Sequence, residues 1–230
     1  MISENLSILR NRIEQACGRC SRKSGEITIV AVTKSFGLDR IKEALATGLV
    51  DFGENYVQEL QEKRAALPEG PRWHFIGHLQ SNKAKYIVDY IHLIHSLDSI
   101  EAGWELQKRS ERLGRSVDVL VEIHTTDEAT KYGVAPERTL DFVRTLSQLD
   151  RVRIRGLMTM GPFSDDPNDS RMSFKRIAEL KKEIERERLK NVAMDHLSMG
   201  MSHDFEVAIE EGATIIRVGT ALFGQRKKKI

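Results

Sequence analysis

Hydrophobic positions along this chain fall into two patterns, short β-branched runs and longer amphipathic segments. The stretch 27–34 shows the first pattern most clearly, because it is dominated by isoleucine and valine and ends in a lysine. Such a run predicts a strand buried on both faces, as in a parallel sheet. Between residues 3 and 23, apolar residues recur at helical spacing with charged residues between them. The chain is therefore predicted to open with an amphipathic helix.

The same two patterns alternate to the end of the chain. The predicted strands cover residues 27–34, 50–53, 73–77, 91–96, 117–124, 152–160, 193–197 and 214–218. The predicted helices between them cover residues 38–46, 56–67, 80–89, 99–113, 137–149, 175–190 and 204–211. Strict alternation indicates a parallel sheet, and eight units favour closure into a single (β/α)8 TIM barrel with an extra N-terminal helix.

Two details refine this fold prediction. No helix is predicted after the eighth strand, so the opening helix could fill the vacant place in the outer ring. An open doubly wound sheet is the alternative, but no glycine-rich nucleotide turn follows the first strand. No linker divides the sequence, and we predict one domain over residues 1–230.

Composition and charge narrow the class of protein. The 230 residues are 40% hydrophobic and 30% charged, which is typical of a globular protein with a well-solvated surface. The net charge of +2 owes much to the basic tail at 226–229, so nothing indicates nucleic-acid binding by the folded body. No stretch resembles a membrane span or a signal peptide. We therefore expect a cytoplasmic protein, monomeric, with no nucleic-acid or membrane partner.

Cysteine and histidine could indicate a metal or redox site. Cys17 and Cys20 form the only cysteine pair, and without a second ligand pair nearby they are interpreted as ordinary thiols near a helix end. Four further histidines lie in or beside predicted strands, namely His74, His92, His95 and His124. We interpret them as packed, hydrogen-bonded core residues and predict no metal site.

Residues that follow the strands of a barrel share one face, where barrels keep their chemistry. Lys34 ends the first strand. A partly desolvated lysine loses its proton more easily, and the neutral amine is the nucleophile for Schiff-base formation. The alternative is that the lysine ends the strand only because the strand has reached solvent.

The loops after strands seven and eight are where barrels most often bind phosphate. Ser198, Ser202, Gly219 and Thr220 suit that use, with hydroxyls and a backbone that an anion can approach. A lysine across the barrel mouth from such loops is a plausible seat for pyridoxal 5'-phosphate, PLP. Arg217 beside the pyridine nitrogen would weaken the ring as an electron sink, and its alternative role is a structural ion pair.

Several motifs occur together in this order. They are residues 31–34 (AVTK), 52–59 (FGENYVQE), 73–83 (WHFIGHLQSNK), 155–160 (RGLMTM), 197–202 (LSMGMS) and 216–224 (IRVGTALFG). Over residues 5 to 225 the sequence resembles the pyridoxal phosphate homeostasis protein family, the YggS/PROSC-type proteins, which are related to the alanine racemase N-terminal barrel.

The resemblance implies a role for each matching residue. Lys34 would carry the cofactor as an aldimine, with Asn55 and His78 at its border and Met158 near its ring. Arg217 would face the pyridine nitrogen, while Ser198, Gly219 and Thr220 would bind phosphate.

The resemblance implies a protein that sequesters PLP and supplies it to other proteins. It also implies PLP-dependent apoenzymes as candidate partners and no established reaction. A racemase-like enzyme is the first alternative. Of the four tyrosines, only Tyr132 lies in a loop at the expected functional face, so an opposed acid–base pair is hard to support. A sensor of vitamin status is the second alternative.

Overall fold

Eight parallel strands pair in sequence order and close into a barrel in the computed structural model, which describes residues 1–126 and 132–225. The strands are β1 (Thr28–Val32), β2 (Asp51–Glu54), β3 (Arg72–Phe75), β4 (Leu93–Leu97), β5 (Val117–Glu122), β6 (Val152–Met158), β7 (Val192–Ser198) and β8 (Ile215–Val218). Each corresponds to one predicted strand, and the predicted (β/α)8 barrel is confirmed.

Helices surround this barrel. They are α1 (Ile2–Arg19), α2 (Leu38–Leu45), α3 (Val57–Ala66), α4 (Ile100–Arg112), α5 (Thr139–Leu146), α6 (Arg171–Glu187), α7 (Phe205–Glu210) and α8 (Thr220–Phe223). Two predictions were wrong. The segment predicted as a helix over 80–89 is a 3₁₀ helix at Ser81–Tyr86, and the short helix α8 follows the last strand, where none was expected.

The barrel closes where β1 pairs with β8. Val30 lies opposite Arg217 and Ala31 opposite Val218, so the first and last strands are neighbours. The extra helix α1 lies outside this seam against α8, since Asn5 Nδ2 donates to the Leu222 carbonyl at 2.9 Å. The predicted N-terminal helix is thus present, and it packs beside α8 as well as completing the outer layer.

Side-chain alternation determines which residues enter the barrel interior. Five buried residues form a cluster there, namely Val30, Leu93, Leu120, Met158 and Ile215. Successive strand residues point to opposite faces, so residues two or four positions further on also face inward. Those inward positions at the carboxyl ends include His95, Glu122 and Arg217. The polar residues of the barrel mouth therefore stand directly above the apolar cluster.

Three predictions concern the rest of the molecule. Cys17 and Cys20 lie at the end of α1 as free thiols. Among the helices that the structure describes, none has the length and apolar character needed to cross a bilayer. The basic tail at 226–229 lies outside the described residues.

Candidate functional site

Lys34 lies two residues beyond the last residue of β1, at the carboxyl end of the barrel, and its side chain is half-buried. Val30, four residues earlier in β1, belongs to the interior cluster, and Lys34 lies in the turn that follows this strand. The structure therefore places the predicted lysine at the barrel mouth.

Both chain neighbours of Lys34 are held by charged side chains. The Thr33 hydroxyl donates to Glu54 Oε1 at 2.6 Å, and Lys63 Nζ donates to the Thr33 carbonyl at 2.7 Å. On the other side, the Ser35 N–H donates to Glu59 Oε1 at 2.6 Å. Ser35 has a φ of 66°, an uncommon left-handed conformation for a serine, and this bond helps to hold it. The backbone that carries Lys34 is thus fixed on both sides.

Lys63 links these contacts because its ammonium lies 2.6 Å from both Glu54 and Glu59. Burial raises the pKa of Glu54, although Lys63 and Thr33 oppose that change. The sequence analysis missed this cluster of Glu54, Glu59 and Lys63. A signal existed in the carboxylate that ends β2 and in the i,i+4 spacing of Glu59 and Lys63.

Asn55 and His78 follow β2 and β3 at the same end of the barrel. Asn55 is half-buried, and its backbone lies so close to Gly77 that a Cβ there would sit 2.2 Å from the Asn55 carbonyl oxygen. The exposed His78 stacks on Tyr132 with ring centroids 3.8 Å apart, and its Nδ1 lies 3.3 Å from Asp98 Oδ2. The glycine therefore allows the Asn55 and His78 loops to approach each other.

Ser202, Gly219 and Thr220, here called the β7–β8 rim, lie beside the end of β1. The Ser202 hydroxyl accepts hydrogen bonds from the backbone N–H groups of Gly219 at 3.2 Å and Ala221 at 3.1 Å. A Cβ at Gly219 would meet nothing nearer than the Val32 carbonyl at 3.6 Å, so no described protein atom excludes a side chain there. The absence of a Cβ at Gly219 lets an anion approach the backbone closely there.

Arg217 lies two residues below Gly219 and is buried. Its Nη1 donates to the Ser198 hydroxyl at 2.8 Å, and its Nη2 donates to the Thr159 carbonyl at 2.9 Å. Burial lowers the pKa of the Arg217 guanidinium to about 10, while Glu122 and Asp204 act in the opposite direction. The guanidinium remains protonated at neutral pH.

Ser198 differs in position from the other residues expected to bind phosphate. It ends β7, is fully buried, and its hydroxyl contacts Arg217 and His95. The Ser198 hydroxyl therefore contacts Arg217 inside the barrel and lies away from the β7–β8 rim. Met158, at the end of β6, is likewise buried, within the interior cluster.

Two of the strand histidines are buried and hydrogen-bonded, as predicted. His95 Nε2 lies 2.9 Å from His74 Nδ1, and His74 Nε2 lies 3.0 Å from Asp51 Oδ1. His92 is exposed, and its ring approaches that of His74. Asp51, His74 and His92 bring potential metal-ligand atoms within 4.8 Å of one another, which the sequence analysis did not foresee. The Asp51 carboxylate there already accepts bonds from His74 and Arg72.

Glu122 is a second group that the sequence analysis missed. It ends β5 with only 4% of its surface exposed. Burial and the nearby charge of Asp98 raise its pKa to about 7, against the opposing effect of Arg217. Perturbed carboxylates of this kind concentrate at functional sites. Glu122 could have been selected from the sequence, because functional residues of barrels lie at the carboxyl ends of the strands.

The arrangement also differs from the predicted one in how the lysine and the rim are placed. Lys34 and the β7–β8 rim lie at the same end of the barrel, but on the adjacent strands β1 and β8 rather than across the mouth from each other. Adjacent strands are about 4.8 Å apart. The chain segments that carry Lys34 and the rim therefore follow neighbouring strands at the same end of the barrel.

Comparison with known proteins gives a consistent result. The family model described as "Alanine racemase, N-terminal domain" matches residues 5–227. A protein of Aquifex aeolicus named pyridoxal phosphate homeostasis protein is 45% identical over 225 residues, covering 97% of this chain and 98% of that protein. A protein of the same name from Pseudomonas aeruginosa is 37% identical, covering 98% of this chain and 96% of that protein.

Solved structures resemble this one over nearly the whole chain. PipY of Synechococcus elongatus, solved with PLP bound, has a TM-score of 0.84 and 35% identity, covering 97% of this chain and 100% of that one. An alanine racemase of Clostridium difficile has a TM-score of 0.74 at 15% identity, covering 98% of this chain and 58% of that one, which shows a shared barrel fold. The chain therefore belongs to the alanine racemase N-terminal domain family and, within it, to the pyridoxal phosphate homeostasis proteins.

Proposed function

We propose that this protein binds PLP at the barrel mouth, holds it as an aldimine on Lys34, and serves in PLP homeostasis without catalytic turnover. The observation that carries the proposal is the position of Lys34 and the β7–β8 rim on adjacent strands. In PLP the aldehyde and the phosphate-bearing carbon occupy neighbouring ring positions, and the pyridine nitrogen lies on the opposite edge. Lys34 suits the aldehyde, the rim suits the phosphate, and Arg217 lies deeper.

Phosphate recognition is assigned to Ser202, Gly219 and Thr220. The bare backbone of Gly219 fits the group, since a Cβ there would fill the gap to Val32, 3.6 Å from its carbonyl oxygen. Asn55 and His78 border the mouth on the β2 and β3 side, and Met158 lies in the barrel interior below it. Because Ser198 is fully buried against Arg217, we propose a supporting role for it instead of the expected phosphate contact.

Arg217 favours storage over catalysis. A protonated pyridine nitrogen, which an aspartate stabilises and a guanidinium disfavours, strengthens the PLP ring as an electron sink. A protonated arginine in that place leaves the lysine linkage intact but weakens carbanion stabilisation. The names of the homeostasis relatives and the PLP bound to PipY agree with this proposal.

The experiment is reduction of the PLP-loaded protein with borohydride, followed by peptide mass spectrometry. The label is expected on Lys34, and Lys34→Ala should remove the aldimine absorbance while the far-UV circular dichroism stays unchanged. Lys42→Ala, on the exposed face of α2, is the control and should keep both signals. A label mainly on another lysine would refute the assignment.

A racemase-like enzyme is the second candidate, and one observation favours it. Glu122, with a pKa of about 7, and Tyr132, stacked on His78, lie at the same end of the barrel and could handle protons. Racemisation of alanine and a panel of other amino acids, compared with equal free PLP, distinguishes the two candidates. Turnover well above that of free PLP would contradict the homeostasis proposal.

Supply of PLP to other proteins is tested separately. The loaded protein is mixed with a PLP-dependent apoenzyme, and recovery of enzyme activity is compared with that produced by equal free PLP. Transfer supports a carrier with apoenzyme partners. Retention of the cofactor would instead support a sensor.

A further inference from the structure

A row of buried hydrogen bonds crosses the barrel interior from Arg217 to Asp51. Arg217 Nη1 lies 2.8 Å from Ser198 Oγ, which lies 2.8 Å from His95 Nδ1. His95 Nε2 lies 2.9 Å from His74 Nδ1, and His74 Nε2 lies 3.0 Å from Asp51 Oδ1. The step from β4 to β7 spans non-adjacent strands, so the row passes through the barrel. It joins the end that carries Lys34 to the opposite end.

The two ends of this row fix its direction. A guanidinium can only donate hydrogen bonds, and an ionised carboxylate can only accept them. Burial opposes ionisation of Asp51, but hydrogen bonds from His74 and Arg72 outweigh it and hold its pKa below the ordinary value. Asp51 is therefore an acceptor at neutral pH, just as Arg217 is a donor.

One arrangement of protons satisfies every bond between these ends. Ser198 accepts from Arg217 and donates to His95 Nδ1. The Nε2–H of His95 then donates to His74 Nδ1, and the Nε2–H of His74 donates to Asp51. The reverse direction would set a lone pair of His74 Nε2 against the carboxylate at 3.0 Å, so both histidines are assigned as Nε2–H tautomers.

Both histidines are neutral in this arrangement. Burial lowers the pKa of His95 well below its ordinary value, and the other charged or titratable groups facing it are His74, Arg217, His196 and His92. Burial also lowers the pKa of His74, against the effect of Asp51 and together with His92 and Arg72. A neutral, single-direction row is thus consistent with the surroundings of each ring.

We propose that Asp51, His74 and His95 are positioning residues that act through Ser198 on Arg217, and that Asp51 supplies a compensating negative charge along the row. Hydrogen bonds in series polarise one another in a low-dielectric interior, so an ionised Asp51 strengthens Ser198 as an acceptor. Glu122 and Asp204 also face Arg217 as acidic groups, but the row provides its hydrogen-bonded connection to a carboxylate. The carboxylate at one end of the barrel thereby helps to position the guanidinium at the other end and compensates its charge.

The tautomers can be tested without any cofactor. Long-range ¹H–¹⁵N correlation spectra of the ¹⁵N-histidine-labelled protein, recorded near neutral pH, report which ring nitrogen carries the proton. Nε2–H is expected for His74 and His95. An Nδ1–H tautomer or a doubly protonated ring at either residue would overturn the proposal.

The effect on the barrel mouth is tested with variants, and this part rests on the proposed PLP function. Asp51→Asn keeps an acceptor oxygen but removes the charge, at the end of the barrel away from Lys34. The dissociation constant of PLP should then rise at least about fivefold, which is the size of a typical coupling between distant sites. Asp118→Asn is the matched control, since Asp118 is a carboxylate at the same barrel end, paired with Arg153 at 2.6 Å and outside the row.

His95 provides a rescue test. His95→Gln offers one acceptor and one donor, whereas His95→Leu offers neither. We expect the PLP dissociation constant and aldimine absorbance of the glutamine variant to lie closer to those of the unchanged protein. Equal losses in Asp51→Asn and Asp118→Asn, or no difference between the His95 variants, would overturn the positioning role. If the unchanged protein fails to bind PLP, the proposed function is refuted. The histidine spectra still test whether the row of hydrogen bonds has the proposed direction.

Discussion

Lys63 Nζ donates a hydrogen bond of 2.7 Å to the carbonyl of Thr33, the residue directly before Lys34. The same ammonium pairs with Glu54, whose side chain is fully buried, and with Glu59, which also holds the Ser35 N–H. The conformation of the chain at Lys34 therefore depends on a charge cluster contributed by β2 and α3.

Lys63→Met is expected to destabilise the fold by about 3–5 kcal/mol, because it leaves Glu54 as a buried carboxylate without its cation. Urea unfolding measures the change. Lys190→Met is the matched control, since Lys190 pairs with Asp150 at the surface and both side chains are largely exposed. That control should lose at most about 1 kcal/mol. Equal decreases in the free energy of unfolding of the two variants would show that the buried pair stabilises the fold no more than the surface pair does.

Gly77→Ala should destabilise the protein by about 1–3 kcal/mol, because its Cβ would overlap the Asn55 carbonyl and push the loops after β2 and β3 apart. Gly18→Ala, in α1 with no atom within 4 Å of its Cβ, should instead be neutral or stabilising by up to about 1 kcal/mol. Thermal unfolding of both variants is the measurement. A stable Gly77→Ala protein would contradict the close approach.

Glu122 gives a pH dependence with a defined sign. Its folded pKa of about 7 lies above the ordinary 4.5, so the folded state holds a proton that the unfolded state releases, and stability falls as pH rises between these values. The difference amounts to about 3 kcal/mol. Glu122→Gln should remove this loss, so its stability relative to the unchanged protein should increase from about pH 5 to about pH 8. A constant difference across that range would contradict the raised pKa.

Thr220→Ala should weaken PLP binding by about 1–3 kcal/mol, the contribution of a hydrogen bond to a charged group. Equilibrium dialysis against PLP measures it. Thr145→Ala, on the exposed surface of α5, should leave the affinity unchanged. If both variants bind equally well, Thr220 does not contact the phosphate.

Much of the barrel could be predicted because the strands are short, most are rich in apolar residues, and turn residues lie between the strands and the helices. Lys34 could be selected since it ends the clearest predicted strand, and Arg217 since it lies within one of the six motifs. The 80–89 segment was wrongly predicted as an α-helix, because its charged and apolar spacing suits either helix type. The short α8 carries too few residues to show a period.

The remaining features depend on contacts between residues far apart in sequence. His95 lies on β4 and Ser198 on β7, with β5 and β6 between them in the chain, so no local pattern indicates their bond. Lys63 lies in a highly charged helix, where a lysine usually faces solvent, and tertiary packing alone buries it. Such partners become visible only with the closed barrel.

The pairing of β1 with β8 has a consequence for the newly made protein. Lys34 leaves the ribosome before Arg217 and Thr220 do. A ligand that touches all three cannot be retained by a nascent chain before β8 has docked, and once retained it ties the first and last strands of the barrel together.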